Sequence, residues 1–466
     1  EHMLAANSGA LYRTASRMSD RPRVSLHWFR RDLRTTDNHG LFRALMDHGD
    51  VLPLFIFDTG ILEELEDKHD RRVDFIHRSL ITLKSELEKH GSSLMVEHGK
   101  PIDVWKRLLK EYEITAVTTN HDHETYANAR DREVADLLRT HGVGLRSFKD
   151  ISIFERGEVL KDDGTPYTVF TPYSRKWRAR FQTNMVEPFN STGKLNALFK
   201  TVPLPMPSLE DIGFKPTDLN APPLDVSDAL LERYHLTRNL PGIEGTSRMS
   251  VHLRFGTVSP RVLMKRGLEL NGTYANELIW REFFMQILWH FPHVVTMAFK
   301  PAYDAIVWRN NEDEFAAWCE GRTGYPLVDA GMRELNASGH MHNRVRMVVS
   351  SFLTKHLLID WRWGEAYFAQ KLLDFELSSN NGNWQWASGS GCDAAPYFRV
   401  FNPTIQQEKS DPELTYVKRW VPEYGGKDYA APIVVHDAAR KRAIEAYKTA
   451  LDGGRKRDER QHELFN

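Results

Sequence analysis

Short apolar runs alternate with amphipathic stretches from Arg23 to about Asp150. The strand-like runs are Val24–Phe29, Val51–Phe57, Ser93–Glu97, Ala116–Thr119 and Leu145–Phe148, and helical spacing fills 41–48, 60–90, 102–112 and 124–141. Strand–helix alternation of this kind predicts an α/β domain, a Rossmann-like parallel sheet covered by helices on both faces. It has no dinucleotide fingerprint. The one glycine cluster resembling it, Gly389-Ser-Gly391, follows no strand.

The pattern then changes. Between 151 and about 225, Pro203, Pro205, Pro207, Pro216, Pro222 and Pro223 interrupt any regular period, which predicts a long connector with one helix near Tyr173–Asn184. From Ser227 onward apolar residues recur at three and four, in windows 258–270, 275–290, 327–336, 341–358 and 364–374, and no strand-rich block interrupts them. An all-α domain is expected, closing with a helix at Asp437–Ala450 and a basic tail at Arg455-Lys-Arg457. The expected division is 1–22 tag and unstructured extension, 23–150 α/β domain, 151–226 connector and 227–466 helical domain. Glu1-His-Met3 reads as an expression scar, and residues 4 to 21 as a weak targeting segment or the stretch before a start at Met18.

Composition narrows the classes. The chain has 466 residues, a net charge of −1 and two cysteines, Cys319 and Cys392. Two cysteines give neither a disulfide framework nor a metal-ligand spacing, so no metal and a reducing, cytoplasmic compartment are expected. No apolar run reaches the roughly 18 residues that span a bilayer, so no membrane partner is expected. With no global basic field, nucleic acid must be met by local patches: Arg175–Arg180, Arg344 with Arg346, Arg399, and Lys418-Arg419. A solvated helix face accounts for any one of these alone.

Five groups in the helical half carry chemistry. Gly245-Thr-Ser-Arg-Met-Ser250 offers hydroxyls and free N–H groups near a helix start, as a phosphate site or a plain N-cap would. In Glu277-Leu-Ile-Trp-Arg-Glu282, Glu277 and Arg281 are four apart and can pair on one face beside Trp280. Asn343 and Met347 share a face with Arg346 beside them, whereas His342 is better explained as a hydrogen-bonded helix histidine than as a metal ligand. Trp308, Trp361 and Trp384 lie on three different elements. Last, Ser379–Arg399 holds Trp384 and Trp386 two positions apart, with Asp374 just upstream. On a helix two steps turn roughly 200°, so one indole can face the interior and the other a cleft.

These groups, with His27-Trp-Phe-Arg-Arg-Asp-Leu-Arg34, Glu244–Arg248, Trp280–Phe283, Gly324–Asp329, Met341–Arg344, Asn383–Trp386 and Ala395–Arg399, resemble the photolyase/cryptochrome family from about Arg23 to Ala439. The resemblance implies an N-terminal antenna domain and a helical domain holding a bent FAD beside a basic groove. It implies that Tyr234, Thr246, Ser247 and Ser250 hold the ribityl chain and phosphates. Arg281 and Arg346 would support the flavin's negative charge, Asp374 would bond the ring edge, and Asn380 would face N5. Trp384, Trp361 and Trp308 would carry electrons from the surface; Trp280, Trp386, Asn343, Met347 and Glu277 would line the lesion pocket; Arg238, Arg344 and Arg399 would grip phosphates.

Within the family, three features resemble the cyclobutane pyrimidine dimer branch. Met341-His-Asn343 lacks the histidines of enzymes for the pyrimidine–pyrimidone photoproduct, Trp386 stands where single-strand-directed relatives usually have Tyr, and Asn380 stands where plant cryptochromes have Asp. No long tail is expected after Asn466. The implied activity is light-driven repair: reduced FAD passes an electron to a flipped-out dimer in double- or single-stranded DNA and the ring splits. The alternatives are a cryptochrome-type receptor that binds FAD without repair, and a dark DNA-binding protein with a vestigial flavin site. A monomer is expected. Three departures stand out. His340 replaces a flavin-side aromatic, Ser410 replaces a Phe on an expected DNA-facing loop, and Trp361-Arg-Trp363 is more like plant cryptochromes. Tyr126-Ala-Asn-Ala-Arg130 lacks the Asn-Glu pair of folate-binding relatives, so folate is disfavoured as antenna. A flavin-like or deazaflavin second chromophore, or none, remains open.

Overall fold

The structure, a computed structural model, describes residues 21–464, with side chains to 453. The extension expected before Arg21 and the side chains of Arg455–Arg457 lie outside the described residues. Five parallel strands, β1 (Arg23–Phe29), β2 (Val51–Asp58), β3 (Met95–Gly99), β4 (Glu113–Asn120) and β5 (Leu145–Phe148), form one sheet in the order β3-β2-β1-β4-β5. Successive side chains alternate between faces. Trp28 packs with Leu54 and Trp105 in one apolar cluster, while Phe29 packs with Leu41 and Phe55 in another. Helices His39–Asp47, Arg71–Glu88, Pro101–Glu111 and Thr125–Thr140 accompany the strands. The single pattern expected over 60–90 is two pieces, a turn at Thr59–Leu62 and the helix Arg71–Glu88. Asp70 accepts from Arg72 N at 2.8 Å and so starts the second piece afresh.

The connector carries the helix Phe170–Arg180 and is latched by one carboxylate. Glu282 accepts from Ile153 N (2.5 Å), Phe154 N (3.2 Å) and Trp177 Nε1 (2.5 Å). Burial nevertheless outweighs these three donors and pushes its carboxyl up to about 7. A buried network joins the sheet to the helices: Arg34 and Arg261 both donate to Asp150, at 2.6 and 2.7 Å, and Arg261 also to Asp37 at 2.9 Å. At the same seam the backbone of Gly256, at φ +68°, runs so close to Arg31 that a Cβ would lie 2.0 Å from its carbonyl oxygen.

In the helical half, Gly272–His290 packs against Pro260–Leu270, Phe170–Arg180 and Leu377–Ser388. The helix expected over 341–358 runs as α-helix only over Asn343–Ser351 and continues as a π-helical turn, Phe352–His356. Leu357 N reaches back five residues to Phe352 O, and Leu358, at φ +52°, ends it. The window 364–374 is displaced to Trp361–Lys371, because Asp360 accepts from Arg362 N at 3.0 Å and starts the helix early. Asp374 is thereby left on the turn before Leu377–Ser388. The last helix, His436–Leu464, runs past the Ala450 end expected for it. No helix among the described residues is long and apolar enough to cross a membrane.

Candidate active site

Four segments converge on one cavity of about 430 Å³: Tyr234–Leu253, the helix Gly272–His290, the helix Asn343–Ser351, and Asp374 with the helix Leu377–Ser388. That volume is typical of a small-molecule site. Tyr234, Arg238, Ser247, Ser250, Glu277, Trp280, Arg281, Asn343, Arg346, Met347, Asp374 and Trp386 all line it. Trp280 and Trp386 therefore face one space, although they come from different helices. Trp280 is braced from behind by Phe170, stacked at 3.6 Å and 5°. A smaller cavity of about 90 Å³ adjoins it, sharing Asn343, Arg346 and Asp374 and adding Asn380 and Trp384.

The cavity holds fixed charges of both signs. Burial would raise the Asp374 carboxyl, but Arg346, whose Nη2 is 2.9 Å away, holds it below the ordinary value. Arg346 is itself braced through Nε on Met341 O at 2.7 Å. Burial pushes the Arg281 guanidinium down to about 10, which leaves it cationic at neutral pH. Its donors go to the carbonyls of Ile151 (2.6 Å) and Leu253 (3.4 Å). The Glu277–Arg281 pair expected from spacing is not formed. Glu277 bonds Arg238, which arrives from the turn at 238 and shares its rim position, and burial raises the Glu277 carboxyl despite that partner. Asn380 donates its amide to Glu365 O (3.1 Å) and Oε1 (2.8 Å), and no protein donor among the described residues reaches its amide oxygen.

Trp384 and Trp361 are each 2% exposed in a single apolar cluster, with Trp308 half-buried at its margin. Trp384 lies against Gly364, one turn along the helix that Trp361 opens: a Cβ there would meet its Cη2 at 2.1 Å. The aromatic neighbours of Trp384 include one that the sequence did not suggest, Trp318, at 6.1 Å, and Phe368 at 4.9 Å.

Some expected residues stand apart. Thr246 is half-buried and does not line the cavity, although Ser247 beside it does. Arg344 is outside it too, donating to Asn239 at 2.8 Å. Arg399 is exposed on the strap after the Trp386 helix. Of the other patches, Lys176 is spent on Asp162 at 2.7 Å. Ser410 is not on a loop: it ends the helix Pro403–Ser410, which Asn402 caps, and its buried hydroxyl donates to Gln406 O at 2.8 Å. His340 lies 3.2 Å from Glu334 and helps line a second cavity of about 330 Å³ that shares Ser250 and Asp374 with the first. His342 N-caps its helix through Nδ1, accepting from Arg344 N at 3.1 Å. Sequence reasoning missed Arg254, Tyr274, Glu376 and Asn383 in the lining. Helical spacing could have found three: Arg254 is four from Ser250, Tyr274 three from Glu277, and Asn383 three from Asn380. Glu376 N-caps the Leu377–Ser388 helix, accepting from Ser379 N at 2.9 Å, but its other partners come from the sheet half, which local spacing does not show. His123 Nε2 lies 3.1 Å from it and Arg31 3.9 Å, and together they outweigh burial and hold its carboxyl well below the ordinary value.

The residues fit a flavin dinucleotide. Hydroxyls at Ser247 and Ser250 suit phosphates, the Arg346–Asp374 pair and the amide of Asn380 suit a heteroaromatic edge, and the buried Arg254 Nε has no protein partner among the described residues. Near the strand ends, Tyr126 donates to Asp58 at 2.9 Å, and Asn128 donates its amide to Glu124 O at 2.9 Å. Comparison with known proteins agrees. The model for the FAD-binding domain of DNA photolyase matches residues 274–426, and the DNA photolyase model matches 25–192. A deoxyribodipyrimidine photo-lyase of Halobacterium salinarum is 37% identical, covering 92% of this chain and 99% of its own. A bacterial class III photolyase from Agrobacterium tumefaciens superposes with a TM-score of 0.81 at 33% identity, over 94% of this chain and 99% of its own. An archaeal photolyase from Sulfolobus tokodaii with two FAD molecules superposes at 0.75 and 32%, over 91% and 99%. With its parallel-sheet half, its helical half and a cavity lined by the expected residues, the chain belongs to the DNA photolyase family.

Proposed function

We propose that this protein repairs cyclobutane pyrimidine dimers in DNA, in duplex and single strands, with a reduced FAD and blue light. The observation that carries the reading is that Trp280, Trp386, Asn343 and Glu277 share one cavity with the Arg346–Asp374 pair. The chemistry supplied by bound, fully reduced FAD is light-driven transfer of one electron, which splits the cyclobutane ring and is then recovered. The chain's own residues do the rest. Tyr234, Ser247 and Ser250 hold the dinucleotide, with Thr246 beside them outside the cavity lining, and Asp374 orients the ring edge. Arg281 and Arg346 keep positive charge beside a reduced, anionic ring.

The dimer must leave the helix stack to reach the cavity, as for other enzymes that act on an extruded base. Trp280 and Trp386 offset that cost by stacking, at roughly 1–3 kcal/mol per base. Glu277 and Asn343 hydrogen-bond base edges. Arg238, Arg344 and Arg399 hold phosphates and orient the strand. Trp308, Trp361 and Trp384 relay electrons that restore the reduced state.

We infer a cytoplasmic monomer, with 23–150, 151–226 and 227–466 as antenna domain, connector and catalytic domain. Light scattering at twice the chain mass would contradict the monomer. For the antenna, released flavin is the test: two flavins per chain mean that the sheet half carries one, and a ratio of one rejects a flavin antenna. The deciding experiment for repair uses a dimer-containing oligonucleotide, reductant and blue light. Loss of the dimer is expected, and a lesion that persists while bound FAD is reduced rejects the repair reading.

A further inference from the structure

The π-helical turn that follows the Asn343 helix buries a lysine that no part of the proposed repair reaction uses. Lys355 is 2% exposed. Its Nζ donates to Ser388 O at 2.9 Å and Tyr397 O at 3.3 Å and sits 3.5 Å from the ring centre of Tyr447. No carboxylate pairs with it among the described residues. Ser388 ends the helix that carries Trp386, and its carbonyl is at the negative end, where a helix supplies no partner of its own. Tyr397 lies on the strap that leads to Arg399. The tether is doubled by Tyr447, whose hydroxyl also donates to Ser388 O, at 2.7 Å. Arg399 itself is exposed and has no side-chain partner among the described residues. Trp386, Lys355, Gly389, Pro396 and Arg399 close around a cavity of only about 10 Å³, so the strap lies directly against the wall of the lesion pocket.

We propose that Lys355 is a positioning residue for DNA recognition: it ties the end of the Trp386 helix to the strap, and so sets Arg399 at a fixed distance from the pocket in which the lesion stacks. A lysine suits the task because two carbonyls converge on it. Burial lowers its pKa, and even a neutral amine keeps two N–H donors for the two acceptors. A charged head gains in addition from the helix end and the ring face. The inference rests on the reading of Arg399 as a phosphate contact.

Binding of flavin-loaded protein to a dimer-containing duplex, followed by anisotropy across a salt series, separates the two claims. Arg399→Ala is expected to weaken binding and to flatten the dependence of log Kd on log salt by about 0.9, one phosphate's worth. Lys355→Met is expected to flatten it equally and to weaken binding roughly tenfold. The double variant should bind no worse than either single one, with flavin content and photoreduction unchanged. A Lys355→Met protein with the parental slope, or losses that add, overturns the tether while Arg399 keeps its role. A parental slope in Arg399→Ala instead removes the phosphate contact, and the tether with it. If Lys355→Met does not fold, Tyr447→Leu takes out the ring and the second donor from a distant helix. The same flattening is then expected, and an unchanged slope overturns the proposal.

Discussion

At the scale of single residues, two indoles on one helix have different surroundings and so different proposed roles. Trp386 lines the large cavity proposed to take the lesion, whereas Trp384 is buried against Gly364 and Phe368. Trp384→Phe is therefore expected to slow photoreduction of oxidised flavin at least tenfold and to spare repair by pre-reduced enzyme; equal loss of both, in a flash-photolysis and repair assay, would refute that division. Trp280→Ala should do the reverse. Losing one stacking wall of roughly 1–3 kcal/mol weakens dimer binding by about 5- to 150-fold, and photoreduction of the free protein should not change. A few such residues were legible from spacing, because a helix puts neighbours at three and four on one face, and the rest were legible only through the family resemblance. Pairings were less so. Glu277 has a possible partner four residues on, yet bonds Arg238, which is distant in sequence and closer in space. Trp318, a direct neighbour of Trp384, gave no local sign of that role.

At the scale of elements, close packing and caps decide where each segment sits. The Trp361–Lys371 helix meets Trp384 through Gly364, and a Gly364→Ala methyl would enter the indole. Overpacking of that kind costs about 1–3 kcal/mol, so a lower melting temperature is expected together with altered photoreduction. The cap of the Asn343 helix is sensitive to pH. Burial, then the nearby His340, lowers the His342 imidazole to about 4 from an ordinary 6.5. Above 6.5 neither folded nor unfolded chain holds the proton. Between 6.5 and about 4 only the unfolded chain takes it up, so stability falls as pH falls through that window, by on the order of 3 kcal/mol. Below about 4 the folded state is protonated too and loses its acceptor for Arg344 N. His342→Asn keeps a capping oxygen without the titration, and chemical denaturation between pH 8 and 4 should show a flatter slope for it. The elements themselves were largely visible in the apolar periodicity. The π-helical turn was not, because five-residue bonding leaves no separate period in so short a segment.

At the scale of the whole molecule, the sheet and the helices share buried charges that neither could bury alone. The Arg34–Asp150–Arg261–Asp37 network crosses the seam, and breaking one member would strand a charge at a cost of about 3–5 kcal/mol. Arg261→Met should therefore lower the denaturation midpoint of both halves together. That a parallel-sheet half is followed by a helical half was readable from the change of hydrophobic period. The seam was not, since its residues look like ordinary surface charges until the chain is folded.

One contact across that seam, His123 with Glu376, would let the sheet half influence the redox character of the helical one. Glu376 stands in the cavity fitted for flavin and is held anionic by groups at the end of β4 and β1. Freed from His123, it would relax toward ordinary basicity and alter the electrostatic potential around the isoalloxazine. His123→Leu, some 250 residues upstream, is thus expected to shift the midpoint voltage of the flavin in a spectroelectrochemical titration.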